Sequence, residues 1–315
     1  VNNAVAIEPK AFAEYVAAAE LGGATVLPLS SQVEALIWTD YHAPEKLAQT
    51  LAENPQLRWV QLPFAGVDAF AEIIQKSAAE SLSSVAPVLT FTSAKGCYRE
   101  PVAEHALALT LALCRALPER VFSKTWGRQF AVSLYESRVL IFGGGGITEE
   151  LLNLLAPFNT NVTVVRKHPQ KHLPGATETV GFDSLDEHLK HADVVILAAA
   201  LTPETIGLFD EKRIALMKKT AYLINIARGP MIVTSALEKA LVAGTIAGAA
   251  IDVTDPEPLP DGHPLWSAPN IIITPHTADT RPMVVRLFSK RIRENVEAFF
   301  TAAPLVGIVD VQLGY

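Results

Sequence analysis

Three ionisable side chains in the second half of the chain each stand just beyond a short apolar run of strand character: Arg228 after TAYLINIA, Glu257 after IAGAAIDV and His276 after NIIITP. In an open parallel sheet flanked by helices, ligands bind beyond the carboxyl ends of the strands. Successive strands would therefore deliver a cation, a carboxylate and an imidazole to one cleft. A guanidinium there can grip an anion through its fork of donors, and an imidazole backed by a carboxylate can exchange a proton with it. The pattern predicts acid–base chemistry on an anionic substrate.

The elements that must position these groups are legible as largely apolar runs rich in β-branched residues at 139–142, 162–165, 194–199, 221–226, 247–253 and 271–274, separated by helical segments. Strands covered on both faces read this way. The first of them, VLIF, runs into Gly143-Gly144-Gly145-Gly146-Ile147-Thr148 and then into the helical stretch TEELLNLLAPF. Strand, glycine-rich turn and helix in that order make a dinucleotide site, with the pyrophosphate on the free N–H groups at the helix start. Gly143 and Gly145 fill the first two fingerprint positions and Thr148 the third, where glycine normally lets helix and strand pack closely, so looser packing is expected there. Glu149 and Glu150 in the first helical turn would repel a phosphate and moderate its affinity. The next strand ends at Arg166 and Lys167, where an NAD site usually carries an acid. A cation there can pair with a 2′-phosphate, which predicts NADP(H) as the preferred cofactor with NAD(H) possible.

The first hundred residues repeat the alternation with NAVAIE, ATVLPL, ALIWTD, LRWVQLP and VLTFT between helical stretches at 10–21 and 44–54, which predicts a second, smaller parallel sheet. A long apolar helix, VAEHALALTLALCRAL, closed by Pro118, marks a crossover near residue 100, and a less regular connection follows to Ser137. A last helix at 282–300 precedes a tail that could return to the first domain. The expectation is an α/β protein of two Rossmann-like or flavodoxin-like domains, parallel sheets flanked by helices, with a cleft between them. Residues 1–100 plus 290–315 would form the substrate-binding domain and 101–289 the dinucleotide-binding domain.

At 315 residues and 50% apolar composition the chain can bury more than one core, and a net charge of −7 without basic blocks offers no face for nucleic acid. Its longest conspicuous apolar stretch, 194–201, is far short of a membrane span, and Glu8, Lys10 and Glu14 stand where a signal peptide would need apolar residues. A cytoplasmic protein with no membrane partner is expected. Cys97 and Cys114 are too few for a disulfide framework, and no His, Cys and carboxylate set has metal-ligand spacing, so no metal is expected. His105 reads as structural, and His42, His172, His188, His191 and His263 as surface or packing residues.

The segment from HADVVILAAALTPETIGLF through INIARG, AAIDVTDPEPLP and NIIITPHTA resembles, nearly throughout, the D-isomer-specific 2-hydroxyacid dehydrogenases. The likeness extends to VAEHALALTLAL and, more faintly, to LPFAGVDAF. It implies a discontinuous substrate domain with a Rossmann-type domain inserted in it, and usually a homodimer. It also implies that Arg228 binds substrate, Glu257 is the acid partner and His276 the proton donor. Ala65, Gly66 and Val67 would hold the substrate carboxylate, with Phe64 or Tyr98 walling the side-chain pocket. Gly143, Gly145, Gly146, Ile147, Arg166, Lys167, Ala227 and Asp252 are the expected cofactor-binding positions. The activity implied is reduction of a small 2-oxo acid of the glyoxylate or hydroxypyruvate type to a D-2-hydroxy acid. The alternatives are a nucleotide-sensing corepressor like the C-terminal-binding proteins, a 3-phosphoglycerate dehydrogenase-like enzyme, and a degenerate enzyme. SAKGCYREPVAEH departs from the usual glycine-and-asparagine pattern before the crossover helix.

Overall fold

The structure, a computed structural model, describes residues 3–41, 43–83 and 89–310. The chain divides into two compact units, Val1–Tyr98 with Arg281–Tyr315 and, inserted between these segments, Arg99–Thr280.

The first unit begins with β1 (Ala4–Glu8), α1 (Ala13–Leu21), β2 (Thr25–Val26), β3 (Ala35–Trp38), α2 (Pro44–Glu53), β4 (Trp59–Gln61), α3 (Ala71–Ser83) and β5 (Thr90–Thr92). The strands pair in parallel in the order β2-β1-β3-β4-β5. Their apolar side chains, among them Leu36, Trp38, Val60 and Phe91, close a core with Leu47 of α2 and Phe70. The C-terminal helix, Arg281–Thr301, packs on α1, with the ring of Phe288 edge-on to Tyr15 at 5.1 Å. A buried polar chain pins that helix to the sheet. Trp59 Nε1 donates to Thr92 Oγ1, Thr92 Oγ1 to Gln61 Oε1, and Asn295 Nδ2 to the same Gln61 oxygen, each at 2.9 Å. With every member partnered, the chain specifies one docking of helix on sheet. The tail does return to this unit: Ile308 bridges Thr92 in antiparallel sense and Val309 N donates to Phe91 O.

The second unit runs α4 (Arg99–Cys114), α5 (Leu117–Arg120), β6 (Arg138–Phe142), α6 (Gly146–Leu155), β7 (Asn161–Val165), β8 (Glu178–Val180), α7 (Leu185–Leu189), β9 (Val194–Leu197), α8 (Glu211–Leu216), β10 (Tyr222–Asn225), α9 (Thr234–Ala243), β11 (Gly248–Ile251) and β12 (Ile271–Ile273). Its strands form one parallel sheet ordered β12-β11-β10-β9-β6-β7-β8. The chain moves outward from β6 through β7 to β8, then crosses back to lay β9 on the other side of β6. That reversal opens a crevice at the carboxyl end of β6, where open α/β sheets bind ligands. Phe142, Val195, Leu223 and Ala249 are fully buried, as strands covered on both faces require.

In the elements of this unit, two details differ from the sequence expectation. The sheet has a seventh strand, β8, and the crossover helix ends at Cys114 rather than at Pro118, because Ala116 adopts a left-handed conformation (φ 54°) and α5 begins a new turn carrying Pro118. Among the described residues, no helix is long and apolar enough to cross a membrane, and no group of three or more His, Cys, Asp or Glu could hold a metal ion.

Candidate active site

Most of the expected cofactor and catalytic positions of the second unit follow the carboxyl end of a strand: Gly143 after β6, Arg166 after β7, Ala227 and Arg228 after β10, Asp252 after β11 and His276 after β12, while Gly146 and Ile147 open α6 and Glu257 lies in the loop between β11 and β12.

Gly143 has φ +117° and is buried so closely against the next crossover that a Cβ would stand 2.5 Å from the carbonyl oxygen of Ala198, so only glycine serves. Gly145 precedes α6 with open space where its Cβ would be, and Gly146 and Ile147 begin the helix. A cradle with its N–H groups at a helix start and no side chain in front fits a pyrophosphate. Thr148 is 0% exposed, and its hydroxyl donates to Gly143 O at 2.8 Å, tying the first helical turn to the glycine turn. Glu149 is exposed. Lys167 is also exposed and pairs with Glu204 at 3.7 Å.

Asn225, fully buried at the end of β10, accepts from Ala227 N at 3.0 Å and donates to Arg228 O at 3.0 Å, so a side-chain amide shapes the turn that presents the guanidinium. Arg228 is half-buried and its Nη1 donates to Ala227 O at 2.8 Å. The following residue, Gly229, lies directly on the Thr254 carbonyl, with no room for a Cβ, which sets the Arg228 turn against the loop that carries Glu257. In that loop Thr254 Oγ1 donates to Pro256 O at 2.9 Å, and Thr254 N donates to Glu257 Oε2 at 3.3 Å. The other carboxylate oxygen, Oε1, accepts from His276 Nδ1 at 2.6 Å. Holding Nδ1 in this way orients the ring and leaves Nε2 for another partner.

His276 itself has φ +49° and is held by Asp252, whose carbonyl accepts His276 N at 2.7 Å. The Asp252 carboxylate, 2% exposed, accepts from Thr274 Oγ1 at 2.5 Å, Thr277 N at 2.9 Å and Ala278 N at 3.0 Å, and lies 3.4 Å from His105 Nε2. Burial pushes its pKa up, but the bonds from His105, Thr274, Thr277 and Ala278 outweigh burial and hold it below the ordinary aspartate value. His105 thus braces this loop through Asp252 and Thr274 Oγ1, the latter at 3.1 Å. Asp279, half-buried three residues beyond His276, has its pKa raised by burial and by Asp252, against the opposing charges of His276 and Arg228.

Sequence reasoning missed Asn225, Thr274 and Asp279. The first two act on the backbone of their own loops and leave no pattern beyond a polar residue at a strand end. In the first unit, the turn containing Ala65, Gly66 and Val67 is braced by aromatic rings: Phe64 stacks on Tyr41 at 3.8 Å and lies 5.7 Å from Tyr98, whose hydroxyl donates to Pro63 O at 2.5 Å. Among the described residues, no acceptor meets the N–H groups of Ala65, Gly66 and Val67. His188 and His191 pair with Glu178 and Glu187, and His263 Nδ1 accepts Leu265 N; His42 lies outside the described residues. Cys97 and Cys114 are buried and not joined in a disulfide, and burial pushes the Cys114 pKa up to about 11.

The family model of the D-isomer specific 2-hydroxyacid dehydrogenase NAD binding domain matches residues 107–278, just over half of the chain. The chain belongs to the D-isomer specific 2-hydroxyacid dehydrogenase family. As a member it is an NAD(P)-dependent oxidoreductase, and the crevice beyond β6 belongs to its nicotinamide cofactor domain. Glyoxylate/hydroxypyruvate reductase A of Serratia proteamaculans is 30% identical over 285 residues, covering 89% of this dehydrogenase and 87% of the relative. An uncharacterized protein from the proB 3′ region of Corynebacterium melassecola is 36% identical over 273 residues, 84% of this chain and 85% of that one. The crystal structure of a D-isomer specific 2-hydroxyacid dehydrogenase from Xanthobacter autotrophicus Py2, in complex with NADPH and MES, matches over 100% of both chains with a TM-score of 0.83 at 26% identity.

Proposed function

We propose that this dehydrogenase reduces small 2-oxo acids of the glyoxylate and hydroxypyruvate type to D-2-hydroxy acids, with NADPH preferred over NADH. The observation that carries the reading is the 2.6 Å bond from His276 Nδ1 to Glu257, with the Arg228 turn packed through Gly229 against the Glu257 loop. Arg228 grips the substrate carboxylate and the neighbouring carbonyl oxygen, fixing the acid and polarising its C=O. The bound nicotinamide supplies the hydride. His276, protonated and oriented by Glu257, gives the Nε2 proton to the oxygen on which negative charge grows; in the reverse direction the neutral ring takes the proton of the 2-hydroxyl group. Gly143, Gly145, Gly146 and Ile147 hold the pyrophosphate, Arg166 and Lys167 the 2′-phosphate, and Ala227 and Asp252 stand at the nicotinamide end. The first unit serves as the substrate domain, its unpartnered N–H groups at Ala65, Gly66 and Val67 suited to a carboxylate.

The protein acts as a homodimer in the cytoplasm. Support for the dimer comes from the segment after α5, where Phe122 is 79% and Trp126 90% exposed beside exposed Val121, Val132 and Tyr135. Apolar surface gathered in one segment marks an interaction face. Two buried cysteines outside any disulfide fit a reducing compartment. The test is oxidation of NADPH and NADH by the purified protein over a panel of 2-oxo acids. The expected result is the highest kcat/KM for glyoxylate or hydroxypyruvate with NADPH; equal or better kcat/KM with NADH, or no turnover of any 2-oxo acid, contradicts the reading.

A further inference from the structure

Three successive glycines lead from β6 into α6, and each has different surroundings. Gly143 is held by its positive φ and by the backbone of Ala198, and Gly145 faces open space. Neither reason applies to Gly144. Its φ lies outside the left-handed region, so its backbone conformation is open to other residues. The three atoms nearest to where a Cβ there would stand all belong to one side chain, with Arg166 Cδ at 2.9 Å, Nε at 3.0 Å and Cζ at 3.2 Å.

The Arg166 side chain therefore lies across the glycine turn, with its guanidinium carbon over Gly144. Its backbone is anchored by donation from Arg166 N to Val180 O at 2.9 Å, and its Nη1 donates to the Lys171 carbonyl at 3.4 Å. Among the described residues no carboxylate stands within ion-pair distance of it. A half-buried cation positioned by contact with a bare peptide, and not neutralised by an acid, keeps its donors for an incoming anion.

We propose that Gly144 is a specificity-determining position: the missing side chain seats Arg166 over the turn, and that seat sets the preference for the 2′-phosphate of NADPH. The inference rests on the NADPH reading above and adds a residue that does not itself bind the phosphate. A methyl group at position 144 would push the far end of a flexible side chain, which the fold tolerates, whereas charge-assisted bonds from guanidinium to phosphate depend on direction and are lost when the donor shifts.

The test is equilibrium binding of NADPH, NADH and adenosine 2′,5′-bisphosphate to the full chain, to Gly144→Ala, to Arg166→Ala and to the double variant, with Tm recorded for each. Gly144→Ala is expected to weaken NADPH and the bisphosphate by about 5–20-fold and NADH by less than about twofold, with Tm shifted by no more than about 2 °C. In the Arg166→Ala background the same change is expected to alter NADPH binding by less than about twofold, because the two positions act as one. If Arg166→Ala lowers NADPH affinity about tenfold or more while Gly144→Ala leaves it unchanged, the role of Gly144 is overturned and the NADPH reading stands. Equal losses for NADPH and NADH in Gly144→Ala overturn it as well, since the Cβ then obstructs the dinucleotide itself. An unchanged NADPH to NADH ratio in Arg166→Ala removes the NADPH reading and this inference together.

Discussion

His276 sits at φ +49°, a conformation that residues other than glycine rarely adopt unless their surroundings hold them there, and the Asp252 and Thr274 carbonyls and the Glu257 carboxylate hold it. Glu257→Gln keeps the shape of the acid and removes its charge. It is expected to lower kcat for 2-oxo acid reduction about 10²-fold with unchanged nucleotide affinity, as measured by NADPH oxidation and fluorescence titration. Arg228→Lys keeps the charge and removes the planar fork, so KM for the 2-oxo acid is expected to rise about 10–100-fold, again with nucleotide affinity intact. An unchanged KM would take substrate binding away from Arg228. Arg228 and His276 stand out in the sequence because each is an ionisable residue directly after a largely apolar run, and Glu257 because it follows one by four residues. The hydrogen bond from the Thr148 hydroxyl to Gly143 O was not legible, because it depends on the local path of the helix, which spacing does not encode.

At the scale of elements, Asp252 joins the ends of β11 and β12, with Thr274 Oγ1 and the Thr277 and Ala278 N–H groups converging on its carboxylate and His105 of α4 beside it. Its folded-state pKa is depressed, so the stability it contributes is present above the ordinary aspartate pKa of about 4 and is lost as pH falls through the lower folded value. Asp252→Asn is therefore expected to cost about 2–3 kcal/mol at neutral pH and to flatten the acid limb of the stability curve, measured by urea unfolding from pH 7 downward. A parallel acid limb in the variant would contradict the role given to that carboxylate. The long strands of this sheet were readable because burial on both faces demands unbroken apolar runs. The edge strand β8, Glu178-Thr179-Val180, carries one apolar residue and so gives no such signal.

For the whole molecule, the return of the chain in Arg281–Thr301 to the first unit was visible as a last helix and a tail. The Gln61–Asn295 tie that fixes the helix was not, because it joins two polar residues far apart in sequence and buried only by the fold. The exposed Phe122 and Trp126 lead to an expectation for the homodimer proposed above: the parent chain sediments as a dimer and replacement of both residues with Asp yields a monomer in sedimentation equilibrium, whereas a dimer persisting at unchanged affinity would assign assembly to another face. The proposed chemistry as a whole is tested most directly by His276→Ala, assayed for NADPH oxidation with glyoxylate and hydroxypyruvate while NADPH binding is followed by titration. Binding is expected to stay within about twofold of the parent while kcat falls about 10²–10⁴-fold. Turnover near that of the parent would contradict the assignment of His276 as the proton donor.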